Sequence, residues 1–61
     1  MKRRALLDHL KDFGCEFLRE GTRHTIYVNR ASARSTAVPR HSEIANNMAR
    51  KICKDLGIPP P

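Results

Sequence analysis

The sequence predicts an α+β domain in the order α-β-β-β-α, a three-stranded antiparallel sheet with two helices on one face. Three observations lead there. Apolar residues recur at helical spacing in two stretches, one near each end of the chain. Between them lie three short runs of alternating or β-branched residues. The turns between those runs are short, so consecutive strands should pair as a meander. With 61 residues the chain makes one domain, residues 1–61, with no room for a second core.

Leu6, Leu7, Leu10 and Phe13 form the first apolar stripe, with Asp8, Lys11 and Asp12 between them. This spacing predicts a helix over residues 3–12, ended by Gly14. In residues 15–20, Cys15 and Phe17 alternate with Glu16, the pattern of a short half-buried strand. Gly21 and Thr22 make a turn, and His24 to Val28 reads as the second strand. Asn29 to Ser32 form a polar turn; Ser35 to Val38 is a third strand, stopped by Pro39, which cannot donate to a ladder. Ser42 is a candidate N-cap for a helix over residues 43–56. The stripe of Ile44, Met48, Ile52 and Leu56 is its expected core face, and Glu43, Lys51 and Lys54 suit its dipole. Gly57 closes it, and residues 57–61 are a tail ending in three prolines. Two helices on one face leave the other face open to solvent, an arrangement close to that of double-stranded RNA-binding domains.

Lys and Arg number 12 against 6 acidic residues, a formal net charge of +6. Most of the cations are Arg, whose planar fork fits phosphate and stacks on bases. The balance points to nucleic acid, although charge alone does not choose between DNA and RNA. So small a domain cannot enclose a large cofactor, so any active site should lie on an open surface and no cofactor is expected. Cys15 and Cys53 are far apart, and with three histidines their spacing is wrong for a zinc finger or ribbon. They read as two buried, reduced thiols, and no metal site is expected. Asp8 interrupts the N-terminal segment before a long apolar run forms, so neither a signal peptide nor a membrane span is expected. The expected location is the cytoplasm.

His24 follows a tight turn at a strand start, where an imidazole is reachable. Histidine moves protons near neutral pH. RNA carries its own nucleophile, the 2′-hydroxyl, so a ribonuclease needs only a base, cations for the phosphate and a proton donor for the leaving oxygen. On chemistry alone, one histidine in a basic domain reads first as a turn residue or a phosphate-binding cation. His41, before the last helix, either binds phosphate with Arg40 or merely precedes the helix cap. Arg19, Arg23, Arg30, Arg34 and Arg40 gather around the strand ends and turns as candidate RNA contacts. Tyr27 could stack a base. Its parity opposes that of Ile26 and Val28, which places it on the open face. His24, however, shares parity with Ile26 and Val28. Either strand twist turns His24 outward, or Thr25 and Tyr27 form the inward set; the sequence leaves that register open.

The segment Gly21-Thr22-Arg23-His24 resembles the Gly-Ser/Thr-x-His turn of HicA-type toxins of toxin–antitoxin pairs. Val38-Pro39-Arg40-His41 is similar to the Val/Met-Pro-x-His of that family, and Ile52 to Ile58 to its closing Ile-x-Lys-x-Leu-Gly-Ile/Leu. With Gly14 after the first helix, the resemblance covers nearly the whole chain. It implies the same α-β-β-β-α fold and a metal-independent mRNA cleavage that halts translation, with His24 as the catalytic histidine. It also implies a HicB-type antitoxin that covers the active face in a heteromeric complex. Some relatives carry two adjacent histidines where this chain has Arg23-His24, and many have a Lys-rich surface where this one is Arg-rich. The alternative is a non-catalytic RNA-binding module of the same fold, in which His24 only contacts phosphate. A third reading, a DNA-binding protein using Asn46, Asn47, Arg50, Lys51 and Lys54 of the last helix, lacks a preceding helix-turn-helix partner.

Overall fold

A computed structural model describes all 61 residues. The order is α1 (Arg3–Asp12), β1 (Cys15–Glu20), β2 (His24–Asn29), β3 (Arg34–Pro39) and α2 (Asn46–Leu56), as the sequence predicts. The strands form one antiparallel sheet in the order β1-β2-β3. No helix is long and apolar enough to cross a membrane.

Both helices lie on one face. Leu6 and Leu10 of α1 and Ala49, Ile52, Cys53 and Leu56 of α2 close over Cys15, Val38 and Ile44 to make the core. Cys15 and Cys53 are both buried free thiols, as expected, and burial pushes both up from their usual range. Met48 is 41% exposed and lies outside the core, which corrects the expected stripe of α2. Phe13 is also exposed; it packs on His9 at the surface, with 4.9 Å between ring centroids.

The last helix begins three residues later than its hydrophobic period suggests. Residues 42–44 are taken up instead in a short antiparallel bridge, Glu43 opposite Lys2, with the start of the chain. Arg3 N–H donates to the Ser42 carbonyl (2.8 Å), Ile44 N–H to the Met1 carbonyl (2.8 Å), and the Met1 ammonium to the Ile44 carbonyl (2.7 Å). That pairing satisfies the first free N–H of α1. It also replaces the expected Ser42 cap: the residue before α2 is Ala45, and it makes no side-chain cap.

At its far end α2 closes on Gly57, whose φ of 72° is a left-handed conformation cheap only for glycine. Gly57 N–H returns to Lys54 and Ile58 N–H to Cys53, a Schellman ending. The β2–β3 turn supports this terminus. The buried Asn29 donates Nδ2–H to the Leu56 carbonyl (2.8 Å), and Ser32 Oγ–H donates to the same oxygen (3.1 Å). Beyond it the tail crosses to α1, where His9 Nε2–H donates to the Pro59 carbonyl (2.9 Å).

The register resolves the parity that the sequence leaves open. Thr25, Tyr27 and Asn29 point to the helices; His24, Ile26 and Val28 point to the uncovered face. Tyr27 therefore lies half-buried against the core, edge-on to Phe17 across the strand pair (6.4 Å), and not on the open face where its parity had placed it. In β1 the pairing shifts between Phe17 and Arg19, leaving Leu18 as the extra residue of a bulge. The bulge reverses the alternation, so Arg19 faces outward beside Ile26 and Glu20 faces inward beside Thr25.

Candidate active site at the first hairpin turn

Gly21, Thr22, Arg23 and His24 join β1 to β2. Gly21 N–H donates to the His24 carbonyl at 2.7 Å and closes the turn. A Cβ on Gly21 would meet that carbonyl oxygen at 3.1 Å, closer than most side chains come, so any larger residue would have to push the carbonyl back by a few tenths of an ångström. The turn places His24 at the first position of β2, opposite Pro39 of β3. There the imidazole is exposed on the face that no helix covers.

Around it lies a shallow hollow lined by Arg19, Gly21, Thr22, Arg23, His24, Ile26 and Ala37. Ile26 and Ala37 are its apolar lining, and its charges are Arg19 and Arg23. Neither arginine belongs to an ion pair: the carboxylates that pair do so with Lys2 and the N-terminus, Arg30, Arg40 and Lys51. Two unpaired guanidiniums beside an accessible imidazole can hold a phosphodiester while the imidazole exchanges a proton. Of His24 itself, only the main-chain oxygen enters the hydrogen bonds of the turn, so the ring is free for a substrate.

Arg40 is close by but occupied. Its guanidinium donates to the Glu20 carboxylate (2.7 Å) and to the main-chain oxygens of Gly21 (2.6 Å), Thr22 (3.4 Å) and His24 (3.2 Å). Glu20 also accepts from Thr25 Oγ1–H (2.9 Å), and Thr25 from Arg3 (3.1 Å). Arg3 is fixed in turn by the Pro39 carbonyl (2.7 Å). The hydrogen bonds from Arg40, then from Thr25, hold the Glu20 carboxyl below its usual 4.5.

The remaining candidate residues are dispersed. Arg30 pairs with Glu16 (2.7 Å), and Arg34 reaches the Lys54 carbonyl at the end of α2. Both lie at the other end of the sheet: Arg34 opens β3 opposite Asn29, about 16 Å from His24 at 3.3 Å per residue, and Arg30 is one residue beyond β2. Tyr27 is on the opposite face. His41 lies in the connection after β3, exposed, beside Pro39, Ala45 and Met48. Thus Arg19 and Arg23 gather at His24, while Arg30, Arg34, Tyr27 and His41 do not. Sequence reasoning passed over Glu20 and Thr25, because the bulge that brings them together has no sequence signature. The nearest signal was an acid directly before the turn glycine. No three His, Cys, Asp or Glu side chains converge anywhere in the molecule.

Fold and site together define a class: a small basic α-β-β-β-α domain that presents one histidine among arginines on a bare sheet face. Within that class, the family described as the HicA toxin of bacterial toxin–antitoxin matches residues 3–58, and the chain belongs to the HicA toxin family. The match spans all five elements and the first hairpin turn. Comparison with curated proteins and with solved structures returned no significant match.

Proposed function

We propose that this HicA-family toxin is a metal-independent endoribonuclease that cuts mRNA in the cytoplasm and so inhibits translation. The observation that carries the reading is the exposed His24 imidazole with two unpaired arginines, Arg19 and Arg23, in one open hollow. His24 takes the proton of the 2′-hydroxyl, or returns one to the leaving oxygen, while the arginines neutralise the phosphate. General acid–base catalysis by one group supplies about 10²–10⁴-fold. Turnover should therefore be slow, which is adequate for a toxin. An open basic site of this kind endangers its host, and an acidic HicB-type antitoxin covering His24 would block RNA by occupancy and by charge.

The test uses single-stranded RNA in EDTA. Cleavage leaving a 2′,3′-cyclic phosphate or 3′-phosphate is expected. His24→Ala should abolish it with circular dichroism and RNA affinity retained. Normal cutting by that variant, or a need for a divalent ion in the native protein, sinks the assignment. The second reading is a non-catalytic RNA-binding module of the same fold. One observation favours it: no side chain or main-chain group hydrogen-bonds to the His24 ring, as a third group commonly does to a catalytic histidine. RNA binding without cleavage by the native chain would establish that reading instead.

A further inference from the structure

Four main-chain and side-chain oxygens converge on one guanidinium beside the candidate histidine. The Glu20 carboxylate and the carbonyls of Gly21, Thr22 and His24 all lie within 3.4 Å of Arg40 nitrogens. The oxygens belong to the last residue of β1, the first residue of β2 and the turn between them, whereas Arg40 follows β3. A surface arginine serving a phosphate would keep its fork free, as Arg19 and Arg23 do. Here Nε and Nη2 both donate to the same Glu20 oxygen, which also neutralises the charge. We propose that Arg40 is a positioning residue: it clasps the Gly21–His24 turn and thereby aims the His24 imidazole, and it does not bind RNA phosphate.

The inference rests on the reading of His24 as the catalytic group. The His24 carbonyl links the clasp to the imidazole. It accepts from both Gly21 N–H and Arg40, so the backbone that sets the direction of the His24 side chain is held from two sides. Pro39, the cross-strand partner of His24, immediately precedes Arg40 and accepts from Arg3. Glu20 is steadied by Thr25, the residue after His24. Removing Arg40 would leave the Gly21 and Thr22 carbonyls without a protein donor, leave the His24 carbonyl to Gly21 N–H alone, and release the anchor of Glu20. Lysine cannot substitute, because one ammonium does not span a planar fan of four oxygens.

The experiment compares full-length Arg40→Ala and Arg40→Lys with the native chain, using a short single-stranded RNA in EDTA. Three quantities are read: kcat and KM, the salt dependence of RNA affinity, and the NMR signals of the Gly21–His24 amides and the His24 ring. A catalytic group displaced by about 1 Å loses on the order of 10²-fold. We therefore expect kcat to fall about 10- to 100-fold in both variants, with KM and the salt slope unchanged. The turn amides and the ring signals should shift or broaden. Lysine should fail as alanine does. The proposal is overturned if Arg40→Ala weakens RNA binding and flattens the salt slope while the turn signals stay fixed and lysine restores function; Arg40 would then be a phosphate contact. It is also overturned if the turn signals move but kcat does not. Should the native chain not cut RNA, the ribonuclease reading fails separately. The spectra still decide on the clasp, and unmoved turn and ring signals would refute it. If Arg40→Ala does not fold, Arg40→Lys and Glu20→Gln carry the same comparison.

Discussion

At the scale of single residues, Glu20 is the group whose state can be read most directly. Its carboxyl lies below the usual 4.5 because Arg40, then Thr25, donate hydrogen bonds to the ionised form. A depressed carboxyl adds stability above its unfolded value and loses it as pH falls through its folded value. The clasp is therefore complete above about pH 4.5 and loosens below it. Glu43, held down by Lys2, and Asp55, held down by Lys51 and Thr36, move in the same direction. An NMR titration should find the Glu20 carboxyl below 4.5 and shifted upward in Arg40→Ala. A native value at or above the usual one would show that the ion pair does not persist in solution. Glu20 is exposed, so this is a statement about turn geometry near pH 4 and not about a large share of stability. The buried thiols carry the second prediction at this scale. Cys15 and Cys53 are shielded and shifted upward, so neither should react with iodoacetamide at pH 8 until the chain unfolds. Fast alkylation of the folded chain would contradict their burial.

At the scale of elements, α2 divides its apolar residues between two tasks. Ile52 is buried among Leu6, Leu10, Val38 and Leu56, whereas Met48 lies against the exposed His41 segment. Ile52→Ala should cost about 2–5 kcal/mol by lost burial and the cavity left behind. Met48→Ala, on a partly exposed position, should cost well under about 1 kcal/mol. Chemical denaturation of both variants checks the pair, and equal losses would mean that the buried face of α2 is misassigned. The termini of α2 are held by different means. The C-terminus has a Schellman ending and the Asn29 and Ser32 donors, while the N-terminus has no side-chain cap and leans on the preceding extended pairing.

At the scale of the whole molecule, a net charge of +6 is distributed unevenly in its availability. Arg3, Arg30, Arg34 and Arg40 are committed to protein oxygens, while Arg19 and Arg23 remain free beside His24. RNA affinity should fall with salt, with a slope of roughly −0.7 per phosphate contacted on a single strand. Arg19→Ala and Arg23→Ala should each flatten that slope by about 0.7, and Arg30→Ala, at the other end of β2 about 20 Å away, should change it much less. Equal effects at both ends would mean that the RNA runs the length of the sheet and is not held at the turn.

How far the sequence reaches follows from the range of the forces involved. The α-β-β-β-α order, the bounds of α1 and β1, the hairpin turn at Gly21 and the end of α2 at Gly57 were all legible, because periodicity and turn chemistry act within a few residues. His24 was legible as a candidate for the same reason: its turn is local. Its exposure was not. Period-two alternation in β2 offers two sets, Ile26 with Val28 or Thr25 with Tyr27 and Asn29, and local hydropathy favours the wrong one. The polar members of the inward set become tolerable only through distant partners: the Leu56 carbonyl for Asn29, and Arg3 with Glu20 for Thr25. The Leu18 bulge, the delayed start of α2 against Met1 and the capture of Arg40 by the turn are likewise tertiary. The sequence by itself determined which elements form and where the histidine stands along the chain. Only the tertiary structure decided which face it looks out from and which arginines are free to meet a phosphate, because those depend on hydrogen-bond partners that folding brings together from far along the chain.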